Sequence, residues 1–478
     1  VLLSSLILLP FFSAILIAFL DASRASLVRS LALCSTFLVF FLSLNLLVFF
    51  DESFSGFQFK EYFVWVPSFQ FALGIDGLSL YLIILATFLF PVCVLIAWSA
   101  IKTYTKEYFI ALLLLESFLI AVFTLLDLFL FYIAFEATLL PMFFIVGVWG
   151  SRSRRINAAY QLFLYTLFGS VFMLIGILYI WYTTGTTNYE ILSRISFNCT
   201  DQIFLWLAFF LSFAVKIPMV PFHIWLPEAH VEAPTAGSVI LAGILLKLGG
   251  YGLLRFSIVL FPFATSFFSP FVISLSLIGI IYASLSTLQQ VDLKKIIAYS
   301  SIAHMGFVTL GIFSLNVFGL EGSILLMLSH GVVSSALFLS VGVLYDRFHT
   351  RLVRSYGGLV QTMPLFSATF LILSLANLSL PLTSSFVGEI FVVLGAFQNS
   401  PVAALLSCFS MVLGAAYSLW LANRICFGNV RTISTVASFD LSRREFFILA
   451  PFIVLTFLLG IFPELILQTL HVSVANIT

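Results

Sequence analysis

The sequence has little charge. Of its 478 residues 9% are charged and 62% are hydrophobic. A soluble domain carries about 25% charged residues. This shortage excludes an ordinary soluble globular protein and indicates that lipid faces most of the surface. The formal net charge of +1 gives no basic field for a polyanion, so no nucleic-acid partner is expected.

Cysteine is also scarce. The five cysteines form no CxxC pair, so neither a disulfide framework nor a thiolate metal site is expected. The sequence contains no nucleotide-binding loop and no pair of histidines suited to ligate haem in a membrane. We therefore predict that this chain binds no metal or cofactor of its own.

Long apolar runs make up most of the sequence. A helix needs about 17–25 apolar residues to cross a bilayer, and runs of that kind recur along the chain. Because lipid satisfies no backbone polar group, they predict an all-α polytopic membrane protein. Proline breaks two of the spans, at Pro218 and at Pro381. The fourteen predicted spans are 2–20, 30–50, 78–99, 108–126, 128–148, 158–182, 203–221, 236–258, 265–288, 295–315, 320–344, 363–396, 401–426 and 447–469.

The longest loop, 51–77, contains the alternating sequence FQFKEYFVWV, which predicts a short hairpin.

The basic residues fall mostly on one side of this arrangement. Of the 21 lysines and arginines, sixteen lie on one side, here called the basic side, and three (Lys60, Arg194 and Arg255) lie on the other, the outer side. By the positive-inside rule, the basic side faces cytoplasm or matrix and both termini face the opposite side. The other two, Lys216 and Lys247, lie within spans. The sixteen are Arg24, Arg29, Lys102, Lys106, Arg152, Arg154, Arg155, Lys294, Lys295, Arg347, Arg351, Arg354, Arg424, Arg431, Arg443 and Arg444.

Several ionisable residues lie within the spans. A lysine near the bilayer centre costs about 2.5–3.5 kcal/mol even on lenient insertion scales. A lone buried His, or Glu116 alone, is often just held by one neighbouring helix. Acids and bases that alternate along the chain, two of them beside helix breaks, are instead typical of a proton relay. The candidates are Glu136, Lys216, Lys247, His304, His330 and Glu389, with Glu116 as a secondary candidate.

The hypothesis is that Glu136 holds Lys216 charged in one state. Weakening that contact would favour the neutral lysine and send its proton toward Lys247, the histidines and Glu389.

The two breaks lie five spans apart, and an odd offset reverses orientation. They therefore predict two inverted five-helix repeats with broken helices 7 and 12. The predicted divisions are a three-helix segment at 1–107, repeats at 108–258 and 259–427, and a C-terminal loop and helix at 428–478.

The stretch HIWLPEAHVEAP contains His223, Glu228, His230 and Glu232. Its spacing does not match the helical HExxH of zinc sites, and Pro227 argues against a continuous helix. We predict that these groups cap the broken helix and collect protons at a mouth on the basic side. The nearby Asp292, Lys294 and Lys295 either belong to the same mouth or are simple anchors.

The chain resembles the antiporter-like membrane subunits of respiratory complex I. The motifs are GIDGLSL (74–80), FEATLLPMF (135–143), GVWGSR (147–152), the stretch at 213–247 that includes PEAHVEAPTAGS, DLKKIIAYSSIAHMGF (292–307), LSHGVVSSALF (328–338) and SSFVGE (384–389).

This resemblance implies fourteen helices with inverted repeats that move protons while quinone is reduced elsewhere in the complex. It assigns Glu136 and Lys216 to the first-half pair, Lys247 to the central lysine and Glu389 to the proton-exit acid. It implies that NADH, FMN, iron–sulfur clusters and ubiquinone bind to other subunits. The implied partners are neighbouring antiporter-like subunits, other membrane-arm subunits and lipids. The implied location is the mitochondrial inner membrane, or alternatively a bacterial plasma membrane.

Two other functions remain open. A subunit of a multi-subunit Na⁺/H⁺ antiporter would share this fold and the Glu–Lys pair but would have no redox partner. A purely structural membrane spacer is disfavoured by the cost of several buried ionisable groups.

Overall fold

The computed structural model describes residues 1–66, 69–430 and 439–476. Within them, twelve helical stretches are long and apolar enough to cross a membrane. The prediction of a polytopic helical membrane protein is confirmed. The count of fourteen spans stays a prediction, because the first helix has 17 residues and the span predicted at 363–396 is divided into two helices.

The first part of the chain contains three helices and the hairpin. The hairpin strands pair antiparallel, with Tyr62 opposite Ala72, as the alternating sequence predicts. The Asp76 side chain accepts the Ser79 N–H and so caps the helix after the hairpin. The elements are α1 (Leu2–Ala18), α2 (Ala25–Val48), β1 (Gln58–Val66), β2 (Phe69–Ile75) and α3 (Gly77–Ala100).

The first predicted repeat follows, and its last span is irregular. Two π-helical segments, Leu241–Leu245 and Leu253–Ser257, interrupt that span, which the structure buries completely. The helices are α4 (Thr105–Thr124), α5 (Leu128–Ala137), α6 (Leu139–Trp149), α7 (Arg155–Thr184), α8 (Tyr189–Leu192), α9 (Cys199–Lys216), α10 (Trp225–Glu232), α11 (Thr235–Ile240), α12 (Leu246–Gly252) and α13 (Ile258–Leu260).

The second predicted repeat contains the other fully buried span, which is also its longest helix. Prolines start three of its helices, where a missing N–H costs nothing. The elements are α14 (Pro262–Gln289), α15 (Leu293–Phe313), α16 (Val317–Phe348), a 3₁₀ turn (Val353–Ser355), α17 (Leu359–Thr362), α18 (Pro364–Asn377), α19 (Ser384–Asn399) and α20 (Pro401–Cys426). Two helices follow, α21 (Arg443–Ile461) and α22 (Glu464–Ala475).

Two predictions about helix boundaries were wrong. The stretch around Pro227 forms the buried helix α10, because the proline lies in the first turn, where backbone N–H groups have no intrahelical partner. The last span, predicted at 447–469, ends at Ile461, and Pro463 separates it from α22. The breaks at Pro218 and near Pro381 are present, since α9 ends at Lys216 and α18 ends at Asn377.

Both ends of the described chain lie at the hairpin face. The Leu3 N–H donates to Glu61 Oε1 at 2.9 Å, and the Gly77 N–H donates to Ser473 Oγ at 3.1 Å. Arg347 pairs with Glu445 at 2.6 Å on the basic side. Arg431, part of the basic-side count, lies outside the described residues.

Candidate proton-transfer site

Four predicted residues from four helices form one buried row, here called the lateral chain: Lys247, His330, His304 and Glu389. Lys247 Nζ lies 2.9 Å from His330 Nδ1, and His304 Nδ1 lies 3.0 Å from Glu389 Oε1. The two imidazole centroids are 5.6 Å apart. Each of the four residues is at most 7% exposed. The two imidazoles share no hydrogen bond, because neither Nε2 atom has a partner among the described residues. The four side chains are therefore adjacent, in one row that extends from the first predicted repeat into the second.

A π-helical segment positions Lys247. The segment Leu241–Leu245 interrupts the regular helical hydrogen bonds, and Lys247 Nζ donates to Ala242 O at 2.5 Å. Such segments are frequent at functional sites. Gly243 lies within this segment and allows close packing, because a Cβ added there would lie 2.4 Å from Leu89 Cδ1.

Glu389 lines two cavities. One, of about 20 Å³, also contacts His304, Asn377 and Tyr417, and its volume suits about one water molecule. The other, of about 410 Å³, lies at the helix break beside Ser379 and Pro381. Glu389 therefore connects the lateral chain with a larger space at the break between α18 and α19.

The first-half residues are adjacent but not paired. Lys216 Nζ lies 3.9 Å from the centroid of the Phe135 ring and 3.5 Å from Phe135 O. Among the described residues, no ion pair within 4.0 Å joins Lys216 to Glu136, whose Oε1 atom makes no hydrogen bond with the protein. Glu116 is fully buried on α4, and neither of its carboxylate oxygens has a hydrogen-bond partner in the described chain. The structure does not bring Glu116 into the lateral chain.

On the basic side, the stretch predicted to form a mouth contains the buried helix α10. His230 on α10 is fully buried and stacks on the Phe338 ring at 4.6 Å, within electrostatic range of Lys247 and Lys294. Lys294 Nζ donates to Ala233 O at 2.8 Å and to Ser238 Oγ at 3.3 Å. Lys294 thus links α15 to the junction of α10 and α11.

His223 and Glu228 lie nearer the surface. His223 packs edge-on against Tyr282 at 5.6 Å in the loop before α10, and burial lowers the pKa of its imidazole, so it is neutral at neutral pH. Glu228 pairs with Lys295 at 2.9 Å, and both side chains are about one-third exposed. This partly exposed ion pair joins α10 to α15.

Sequence reasoning named His230, Glu232 and Asp292 as candidates for one mouth but did not include Arg351, which joins them in a group of buried polar atoms around α10. Glu232, Asp292 and Arg351 each carry at least one buried side-chain atom without a hydrogen-bond partner among the described residues, as do both ring nitrogens of His230. An unsatisfied buried polar group costs about 1–3 kcal/mol, so these groups suit a hydrated, proton-exchanging environment. Arg351 could not be placed there from sequence, because Val231, whose carbonyl accepts a hydrogen bond from Arg351 Nη1, lies 120 positions earlier. Within the described ranges, no group of three or more His, Cys, Asp or Glu side chains is placed to hold a metal ion.

Arg255 was predicted to lie on the outer side, but its burial was not predicted. It lies inside the second π-helical segment, is 4% exposed, and forms a buried ion pair with Asp76. The sequence signal was its position three residues before the end of a predicted span.

Residues 126–414 match the family described as NADH:quinone oxidoreductase/Mrp antiporter, TM. The chain belongs to this family. The NADH-ubiquinone oxidoreductase chain 4 of Marchantia polymorpha is 57% identical over 477 residues, which cover 99% of this chain and 96% of the relative. The chain 4 of Arabidopsis thaliana is 58% identical with the same coverage. The predicted resemblance to antiporter-like subunits of complex I is confirmed.

Solved structures in the NADH:quinone oxidoreductase/Mrp antiporter family share the fold. A chain of respiratory complex I from Thermus thermophilus with bound NADH superposes with a TM-score of 0.91 at 30% identity, covering 99% of this chain and 98% of that one. A chain of the Mrp complex from Dietzia gives a TM-score of 0.86 at 20% identity over 100% of this chain and 97% of that one. At that identity the likeness concerns the fold alone.

Proposed function

We propose that this chain is a proton-translocating membrane subunit of a NADH:ubiquinone oxidoreductase. Near-full-length identity above one-half to relatives of that name supports this activity over a sodium/proton antiporter, whose structure matches at 20% identity. The observation that carries the mechanism is the buried contact series from Lys247 through His330 and His304 to Glu389.

The lateral chain can pass a proton by ordinary acid–base exchange. Lys247 gives a proton to His330 Nδ1 across 2.9 Å. The proton then leaves His330 toward His304, and His304 passes it across 3.0 Å to Glu389. Each member can gain or lose one proton, and each imidazole can accept a proton on one ring nitrogen and release one from the other. In this water-poor environment, charge on one member strongly affects its neighbours. Glu389 releases the proton into the cavity at the helix break.

The first half loads the lateral chain. Lys216 and Lys247 lie on helices that touch, because Gly249 of α12 packs against Ile217 next to Lys216. Glu136 holds a proton on Lys216 when the two approach each other, and the separated arrangement in the structure corresponds to release. Glu116 is a secondary candidate because it is a buried acid on a neighbouring helix.

Protons reach the centre from the basic side around α10. Glu232, Asp292 and Arg351 carry unpaired buried atoms there, and His230 lies within electrostatic range of both Lys294 and Lys247. We assign His230 to this uptake route and His223 to its rim. Glu228 belongs to the partly exposed ion pair with Lys295.

The arrangement of the subunit follows from the same proposal. Residues 108–258 and 259–427 form the two inverted repeats, with α9–α10 and α18–α19 as their broken helices. The segment 1–107 precedes them, and 428–478 follows. Both termini face the intermembrane space of a mitochondrion.

The partners in this proposal are membrane-arm subunits, including neighbouring antiporter-like subunits, and lipids. NADH, FMN, iron–sulfur clusters and ubiquinone bind elsewhere in the assembly. Quinone reduction there drives proton movement here.

A blue-native gel with mass identification of co-migrating proteins tests the assignment. We expect the chain to migrate with peripheral-arm subunits that oxidise NADH, and we expect membrane vesicles containing the complex to transport protons when NADH is added in sodium-free buffer. Migration with antiporter subunits alone, together with proton transport driven by a sodium gradient without NADH, would instead support the antiporter.

A further inference from the structure

A buried ion pair on the outer side joins Asp76 to Arg255. Arg255 Nη1 and Nη2 donate to Asp76 Oδ2 and Oδ1 at 2.7 and 2.6 Å, and both side chains are less than one-tenth exposed. Two parallel charge-assisted hydrogen bonds fix the orientation of the guanidinium. Because Asp76 also caps α3 through the Ser79 N–H, the pair joins the start of α3 to the second π-helical segment.

Aromatic rings surround the guanidinium. Its central carbon lies 4.8, 5.3 and 5.5 Å from the centroids of the Phe57, Tyr251 and Tyr189 rings. Cations near ring faces are stabilised by the ring quadrupole. Arg255 Nε also donates to the Tyr251 hydroxyl at 3.2 Å. All three guanidinium nitrogens are therefore engaged, and the charge is held in one position.

The ion pair lies on the outer side of Lys247. Lys247, Tyr251 and Arg255 are spaced by four residues on one broken span, so they lie near one face. Eight residues at 1.5 Å per residue put the Arg255 backbone about 12 Å farther toward the outer side. Beyond it lies a cavity of about 280 Å³, lined by Asp76, Arg255, Tyr189, Ser193, Ser473 and Asn476. Asp76 and Arg255 thus stand between this polar cavity and the deeper Lys247.

We propose that the Asp76–Arg255 pair is a charge barrier that stops a proton on Lys247 from leaving to the outer side through the first repeat. The barrier also keeps outer-side protons from returning to Lys247. This inference rests on the proposed function of Lys247 as a proton carrier. With this route closed, transfer from Lys247 proceeds to His330 along the lateral chain.

The chemistry of arginine explains the barrier. Lysine, histidine and glutamate can exchange protons, whereas a guanidinium stays protonated in proteins. Arg255 therefore cannot act as the next carrier after Lys247. The guanidinium has hydrogen-bond donors and no acceptor, so it also offers no site on which a proton approaching from either direction could bind.

Arg255→Lys separates a barrier from a simple structural clamp. Lysine keeps the positive charge and can still pair with Asp76, so a clamp would survive the change. However, a buried lysine can release its proton, so a barrier would not survive it.

The experiment measures passive proton leak in vesicles that contain the assembled complex, without NADH, after an imposed pH gradient. We expect Arg255→Lys to speed the decay of the gradient about tenfold, which corresponds to a barrier lower by about 1.4 kcal/mol. The matched control is Asp127→Asn. Asp127 is a buried cap of α5 that accepts hydrogen bonds from the Phe129 and Leu130 N–H groups at 2.9 and 3.1 Å and from Thr187 Oγ1 at 2.6 Å. We expect the pH gradient to decay at the wild-type rate in vesicles with the Asp127→Asn complex.

A wild-type decay rate for assembled Arg255→Lys would overturn the barrier. If that variant does not assemble on a native gel, Arg255→Gln decides, because it removes the permanently protonated guanidinium and keeps a side chain that can still donate a hydrogen bond to Asp76. A wild-type rate of proton leak in that variant would also contradict the proposed barrier. NADH-driven proton transport by the wild-type complex in the same vesicles tests the proposed function separately, since the leak measurement needs no turnover.

Discussion

At the scale of single residues, the proposed proton transfer depends most on Lys247. Its ammonium is fully buried and is held by His330 Nδ1 and by Ala242 O, the carbonyl available at the π-helical segment. A buried charge is costly unless hydrogen bonds or opposite charges compensate for it. Packing alone would be served better by an apolar side chain, so the lysine indicates a role in charge movement.

Lys247→Met should therefore abolish proton transport while the complex still assembles. Methionine fills a similar space without a charge, so the expected cost to stability is that of leaving His330 Nδ1 without its partner, about 1–3 kcal/mol. The measurement is NADH-driven proton transport in vesicles, with assembly followed on a native gel. Lys295→Met, which removes a partly exposed lysine paired with Glu228, is the matched control and should transport protons normally. Normal transport by Lys247→Met would show that protons bypass this residue.

Residues of the lateral chain could be predicted from sequence because an ionisable side chain in an apolar run is conspicuous. Arg255 could not be placed in the same way. An arginine near the end of a span can extend its guanidinium to the membrane interface. The sequence does not show that the partner of Arg255 is Asp76, which lies 179 positions earlier. Partners distant in sequence are set by tertiary packing, which a single hydrophobicity pattern does not encode.

At the scale of elements, the irregular span from α11 to α13 is packed against α9 through glycine. A Cβ added at Gly249 would lie 2.5 Å from Ile217 Cγ1 and 2.8 Å from Phe213 O. The second contact is with backbone and cannot be relieved by rotating a side chain. The close approach of these helices keeps the Lys216 region next to the Lys247 region.

Gly249→Ala should destabilise the complex by about 1–3 kcal/mol, the usual cost of forcing a methyl group into a packed interior. The measurement is the thermal unfolding temperature of the purified complex. Gly279→Ala on α14 is the control, because its Cβ would meet Val220 Cγ2 at an ordinary 3.6 Å, and alanine is a better helix former than glycine by about 1 kcal/mol. An equal effect of the two changes would argue against tight packing at Gly249.

The elements show why some boundaries could be predicted and others could not. Pro218 marks a break because proline removes a backbone hydrogen bond in the middle of an apolar run. Pro227 was wrongly predicted to prevent a helix. It occupies the first turn of α10, where proline is tolerated. The two π-helical segments have no residue signature and depend on contacts with neighbouring helices.

At the scale of the whole molecule, the lateral chain crosses from one predicted repeat to the other, and the fully buried α16 contributes His330 to it. The described chain brings both its ends to the hairpin face, whereas arginine pairs such as Arg347–Glu445 lie at the other. The contacts within the lateral chain support a path that begins at Lys247 and ends at Glu389.

The number of protons transported per NADH oxidised by the assembled complex tests this account most directly. Glu389→Gln removes the last carrier, and its control is Glu321→Gln, which alters another buried acid that contacts a histidine, His471, at 2.7 Å outside the lateral chain. We predict a lower ratio for Glu389→Gln and the wild-type ratio for Glu321→Gln. A wild-type ratio for Glu389→Gln would contradict the account.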